Sequence, residues 1–228
     1  MVIIDSADEL NISAVNALLK SLEEPPSNSV FLLVSARPGS LPVTVRSRCR
    51  HLRLNPLDDA DATSAVKAAL AGAQEAGYAQ DAIDRCVPLA GGAPGMALRL
   101  LEGDGAELYA RIATIMEGLP RTDYAAVHDL ADKLTAQGAE GRYEMFHMIF
   151  CDTIARLVAH SASGKGALNG EARLAGKLIE SHTLARWAGL WETLQRMKAE
   201  ADTLNLDRKS HLLGMFFRLE ETVRGNTA

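Results

Sequence analysis

Cysteine is scarce in this chain. Cys49, Cys86 and Cys151 are the three present, and they lie far apart in 228 residues. An odd, scattered set argues against a disulfide framework and suits a reducing cytosol, so a cytoplasmic protein is expected. No CxxC pair occurs, which leaves a four-ligand zinc site without support; no metal and no cofactor is expected. Aromatic residues are few, at 5%. No apolar run approaches the ~20 residues that cross a bilayer. The N-terminus lacks a charged stretch ahead of an apolar one, so no signal peptide is read. Positive charge is also short. With 24 Lys and Arg against 29 Asp and Glu, the net charge is -5, and nucleic acid would have to be held by a local patch rather than by bulk charge.

What is present favours helices. Hydrophobic residues make up 47% of the chain, and alanine and leucine lead them. The chain opens on MVIID, an apolar, β-branched run that reads as a buried strand. Few proteins start directly on a core strand, so Met1 is expected not to be the natural beginning. In NISAVNALLKSLEEPP, Ile12, Val15, Leu18, Leu19 and Leu22 recur at helical spacing. Asn11 or Ser13 can cap that helix, and Pro25 and Pro26 stop it. SVFLLVSA predicts a second strand and RPGS a turn. LPVTVRSR predicts a short helix with Pro42 in its first turn. HLRLNP predicts a third strand. Residues 1–56 therefore read as an α/β layer with parallel pairing.

The texture changes at Leu57. DDADATSAVKAALAGAQEAG, AQDAIDRCVPLAGG and APGMALRLLEG predict three helices, a small unit spanning 57–104. Residues 105–228 read as helical almost throughout. Their apolar stripes are Tyr109, Ile112, Ile115 and Met116; Tyr143, Phe146, Phe150, Ile154 and Leu157; Trp187, Leu190, Trp191, Leu194 and Met197; and Leu212, Leu213, Phe216, Phe217 and Leu219. SASGKGALNG, at 161–170, predicts a loop. The fold expected is mainly α with a partial α/β piece at its N-terminus.

One set of motifs is specific. VIIDSADELN, NALLKSLEEPP, FLLVSARPGSLPVTVRSRC and GGAPGMALRL, in that order, resemble the clamp-loader branch of the AAA+ ATPases. The resemblance is sharp in NALLKSLEEPP and in Ser47-Arg48-Cys49; beyond about residue 105 it rests on helical texture and LNLDRK. It implies that 1–56 is the C-terminal part of an AAA+ α/β domain, 57–104 a lid and 105–228 a helical collar. It also implies a Walker A strand between residues 30–35 and 50–54, yet no GxxxxGK[ST] phosphate loop occurs in this sequence.

The resemblance further implies that the ATP-handling positions have lost their chemistry. A competent Walker B strand ends in Asp-Glu, the glutamate polarising the attacking water. Here Asp5 is followed by Ser6, which cannot act as that base near pH 7. The sensor position falls on Ala36 and the lid arginine position on Gly95, neither with a polar side chain. Arg48 is retained. An arginine finger stabilises a neighbour's transferring phosphoryl group, and guanidinium suits that work because it is planar, bidentate and permanently charged. Cys49 would then be a small residue in a turn. The expectation is a stator without intrinsic catalysis, in a ring with ATPase subunits of the gamma/tau type and a delta subunit, acting indirectly on a sliding clamp and primed DNA.

Other readings stand beside it. A gamma/tau-type ATPase subunit is the alternative, opposed by Ser6, Ala36 and Gly95. An unrelated helical scaffold carrying an AAA+ remnant is a third. Taken alone, Arg48 is more simply one surface charge among Arg46, Arg50 and Arg53; NALLKSLEEPP upstream reverses that weighting. Lys20, Glu23 and Glu24 read as an exposed helix face, with a role in subunit contact as the alternative. Glu144 and His147 make one Glu-x-x-His, too little for a di-iron bundle. Trp187 and Trp191 read as core, and Arg208 and Lys209 as exposed charges near a helix start.

Overall fold

The computed structural model describes residues 1–73, 77–168 and 170–225. The chain divides into two compact units, Met1–Asn55 and Pro56–Ala228. Most of it is helical, and the described residues hold one small parallel sheet.

In the first unit, β1 (Val2–Ile4) pairs in parallel with β2 (Phe31–Leu33), Val2 opposite Phe31 and Ile4 opposite Leu33. Between them runs α1 (Ile12–Glu23). Asn11 caps it, its side-chain oxygen accepting from the Ala14 N–H at 2.8 Å, so Asn11 rather than Ser13 starts the helix. A single 3-10 turn, Ala7–Glu9, precedes it. After β2, Pro42 leads into α2 (Val43–Arg46). Ala7, Val15 and Val45 are the buried apolar residues of this unit.

The third strand expected from HLRLNP does not form. Residues 50–56 have no regular structure, and Leu52 and Leu54 are 82% and 84% exposed. A strand exists by pairing, and the described sheet offers these residues no neighbour. The sheet itself is thinly covered: Val2, Ile3 and Leu32 remain exposed.

The second unit begins with α3 (Asp59–Gly72), α4 (Gln80–Leu89) and α5 (Pro94–Glu102). Asp58 caps α3 by accepting from the Asp61 N–H at 2.8 Å. The Gly91-Gly92 turn clasps the start of this segment, Leu57 N–H donating to Gly92 O at 2.9 Å. A Cβ on Gly92 would lie 2.3 Å from the Leu57 carbonyl oxygen, and its φ of +82° suits glycine, so no other residue fits there unstrained.

Among the described residues six helices follow: α6 (Gly105–Glu117), α7 (Tyr124–Thr135), α8 (Glu140–Ser163), α9 (Glu171–Leu178), α10 (Leu184–Leu204) and α11 (Arg208–Arg224). One core runs from Ala62 and Val66 in α3 through Ile112, Phe146, Phe150 and Trp187 to Phe216 and Leu219 in α11. At its centre Phe150 meets Phe146 and Phe216 with ring centroids 5.4 and 5.0 Å apart. The expected loop at 161–170 is shorter than its composition suggests. α8 continues through Ser163 and ends on Gly164 in the left-handed conformation, and Asn169 lies outside the described residues. Among the described residues no helix is long and apolar enough to cross a membrane.

Candidate functional site

The residues singled out from the motifs occupy three places in the first unit and one in the second. Asp5 and Ser6 follow β1, where the Ser6 hydroxyl donates to Asp5 Oδ1 at 3.2 Å. Ala36 follows β2, and its side chain brings no polar atom. Its backbone N–H donates to Asp8 Oδ1 at 3.3 Å, and Arg37 Nε donates to Asp8 Oδ2 at 3.4 Å. The Asp8 side chain is buried and joins the 3-10 turn after β1 to the exit of β2. Asp8 was not among the residues picked from the motifs; a carboxylate three residues after Asp5, in DSADE, was the available signal.

Ser47, Arg48 and Cys49 leave the C-terminal end of α2. Ser47 Oγ donates to Thr44 O at 3.2 Å, closing the last turn. Cys49 is half-buried and unpaired with another cysteine. Arg48 is the most connected of the three. Its Nη1 donates to Thr44 O at 2.8 Å and contacts Ser47 Oγ at 3.4 Å, while its Nη2 lies 2.5 Å from Glu23 Oε1. The Arg48 side chain is still 35% exposed. Its partners come from the ends of α1 and α2; none is Asp5, Ser6 or Ala36. Glu23 is therefore more than one carboxylate on a solvated helix face. Gly95 sits near the start of α5 in the second unit, exposed, with open space where a Cβ would go.

The second unit concentrates its perturbed polar groups inside the helical core. Tyr143 Oη and His211 Nδ1 are 2.7 Å apart, and the His147 and His211 rings stack with centroids 6.1 Å apart. His147 Nε2 faces Leu194 O at 3.4 Å and Cys151 Sγ at 3.6 Å. Burial pushes His211 down to about 4, helped by the neighbouring His147 and Lys198, and burial likewise lowers His147. Glu144, the other half of the Glu-x-x-His, instead pairs with Lys198 at 3.1 Å. Elsewhere in this unit, buried Glu171 accepts from Arg156, from Tyr109 Oη at 2.9 Å and from Leu168 N–H at 2.9 Å. These contacts tie α6, α8 and the entry to α9 together. Both clusters draw their partners from inside the unit, and His211 Nε2 is buried without one.

Comparison with known proteins places the motifs. Residues 1–58 match the family model described as DNA polymerase III, delta subunit. The chain is 40% identical over 95 residues to DNA polymerase III subunit delta' of Escherichia coli (strain K12), an alignment covering 42% of this chain and 27% of that protein. It is 36% identical over 121 residues to the subunit delta' of Pseudomonas aeruginosa, covering 53% and 34%. It is 49% identical over 49 residues to the subunit tau of Bacillus subtilis (strain 168), covering 22% and 9%. The chain thus spans about a third or less of the curated relatives it matches. By these matches its N-terminal segment carries the signature of the DNA polymerase III delta family, with kinship to both the delta' and the tau/gamma subunits.

Proposed function

We propose that this chain acts as a non-catalytic stator of the delta-prime kind in the DNA polymerase III clamp loader. In this reading it presents Arg48 to a nucleotide site on a neighbouring gamma/tau-type ATPase subunit, beside a delta subunit, while the ring loads the sliding clamp on primed DNA. The lid and collar roles of 57–104 and 105–228 belong to the same proposal. The observation that carries it is the contrast between Arg48 and the other motif positions. Arg48 lies just past the end of a short helix with its guanidinium partly open to solvent. Ser6, Ala36 and Gly95, by comparison, bring no carboxylate, no sensor hydroxyl and no lid cation. Such a chain has the donor that stabilises phosphoryl charge without the base that activates water.

The test uses the full gene product assembled with its cognate ATPase and delta subunits, clamp and primed DNA. Arg48→Ala is expected to lower ATP turnover by about 10³-fold at the site it serves, the low end for an arginine finger, with the assembly intact. Unchanged turnover in an intact assembly overturns the finger role. A wild-type protein that does not assemble overturns the clamp-loader reading. The second reading, a tau/gamma-type ATPase subunit, draws on the 49% identity over 49 residues to the tau subunit. It requires ATP turnover by the gene product alone, and Ser6 opposes it.

A further inference from the structure

We infer that Glu23 is a positioning residue for Arg48: it holds the guanidinium in a rest position and gives it up to a phosphoryl group. The inference rests on the arginine-finger reading above and deepens it. Three features carry it. First, the two groups converge from different elements. Glu23 is the last residue of α1, while Arg48 lies just past the end of α2. Second, the guanidinium is held on both arms, Nη1 by Thr44 O at 2.8 Å and Nη2 by Glu23 Oε1 at 2.5 Å. A long, flexible side chain is thereby confined to one direction instead of sampling many rotamers. Third, the pair is open to water, with Glu23 51% and Arg48 35% exposed.

The third feature decides what the pair can do. An ion pair this exposed contributes little to stability. It is strong enough to orient a side chain and too weak to retain it against a better anion. A terminal phosphoryl group carries more charge than one carboxylate and offers oxygens spaced for the guanidinium fork. Glu23 also ends α1, where the negative end of the helix dipole disfavours a carboxylate, so the isolated Glu23 gains from Arg48 while present and has no further hold on it. The arrangement is a competition for one Nη2 between Glu23 and a neighbour's nucleotide.

The experiment measures ATP turnover of the assembled ring as a function of ATP concentration, and isolates the part that Arg48→Ala abolishes. Glu23→Gln and Glu23→Ala are expected to raise the maximal rate of that part by about two- to fivefold, the range an exposed ion pair allows, because parting from Glu23 no longer opposes the transition state in which the finger acts. Neither substitution is expected to act in the Arg48→Ala background. An unchanged or lower maximal rate overturns the inference, and so does an equal effect in the Arg48→Ala background. If Arg48→Ala itself leaves turnover intact, the finger reading fails first, and that result is separate from any failure of Glu23.

Discussion

The two units solve folding with very different resources. The second buries Phe146, Phe150, Phe216, Trp187 and Tyr143 in one continuous core. The first has Ala7, Val15 and Val45 as its buried apolar residues, and it leaves strand residues in solvent. Yet the motifs that resemble nucleotide-handling proteins cluster in the first, where Arg48 keeps an exposed guanidinium. The second pairs buried polar groups with one another, as with Tyr143 and His211 Nδ1 or Arg156 and Glu171, and leaves His211 Nε2 buried without a partner. The difference lies in packing: one unit holds the continuous core, while the other is thinly covered and keeps its motif side chains near solvent.

Four measurements would break or sharpen that contrast. The largest effect is expected from Phe150→Ala, which opens a cavity where three aromatic rings meet and should cost about 3–5 kcal/mol in chemical denaturation. Acid comes next. His211 is neutral in the folded state, its value lowered from 6.5 to about 4. An unfolded histidine takes a proton near pH 6.5, so this contribution is fully present above that value. It is lost as pH falls toward about 4, by up to about 3 kcal/mol. His147, also lowered, acts in the same direction. His211→Asn should flatten this acid limb in denaturation curves taken between pH 7 and 4, and an unchanged slope would remove His211 as its source.

Gly92→Ala should cost about 2 kcal/mol, from the left-handed strain plus a clash with the Leu57 carbonyl. A variant as stable as wild type would show that the clasp relaxes freely. The smallest change is expected in the first unit. Arg37→Ala removes one long contact from Asp8, which keeps the Ala36 N–H, and should give the least loss of stability of the four. A loss as large as that of Phe150→Ala would erase the contrast between the units.

Much of this architecture was legible from local rules. Helical spacing located α1, α6, α8, α10 and α11, and Asn11 and Pro25 bounded α1, because caps and periodicity act within a turn or two. What escaped depended on distant partners. HLRLNP has strand composition, but pairing is decided by a neighbour that no local pattern supplies. The stripes also ran wider than the core. Trp191 is 38% exposed, and Phe217 is exposed although Phe216 beside it is buried. Consecutive residues on a helix point about 100° apart, and Phe217 is the one that turns out of the buried sector holding Met215 and Phe216. Within the candidate site, Arg48 could be picked out from its motif, but Glu23 could not. Its pairing joins the ends of two helices, and its own surroundings read as solvated charge. The link between Tyr143 and His211 was hidden for the same reason.

α8 is also a mechanical part. Its 24 residues make a rod about 36 Å long at 1.5 Å per residue. It packs against α6, α7, α9 and α10, and its Tyr143, Phe146 and Phe150 meet side chains of α11. A rod shared by five neighbours makes their energies interdependent. Substitutions in α6 and α10, far apart in sequence, should therefore combine non-additively whenever both lean on the same turn of α8, and the coupling measured in double-mutant cycles would chart how far along the rod a disturbance travels.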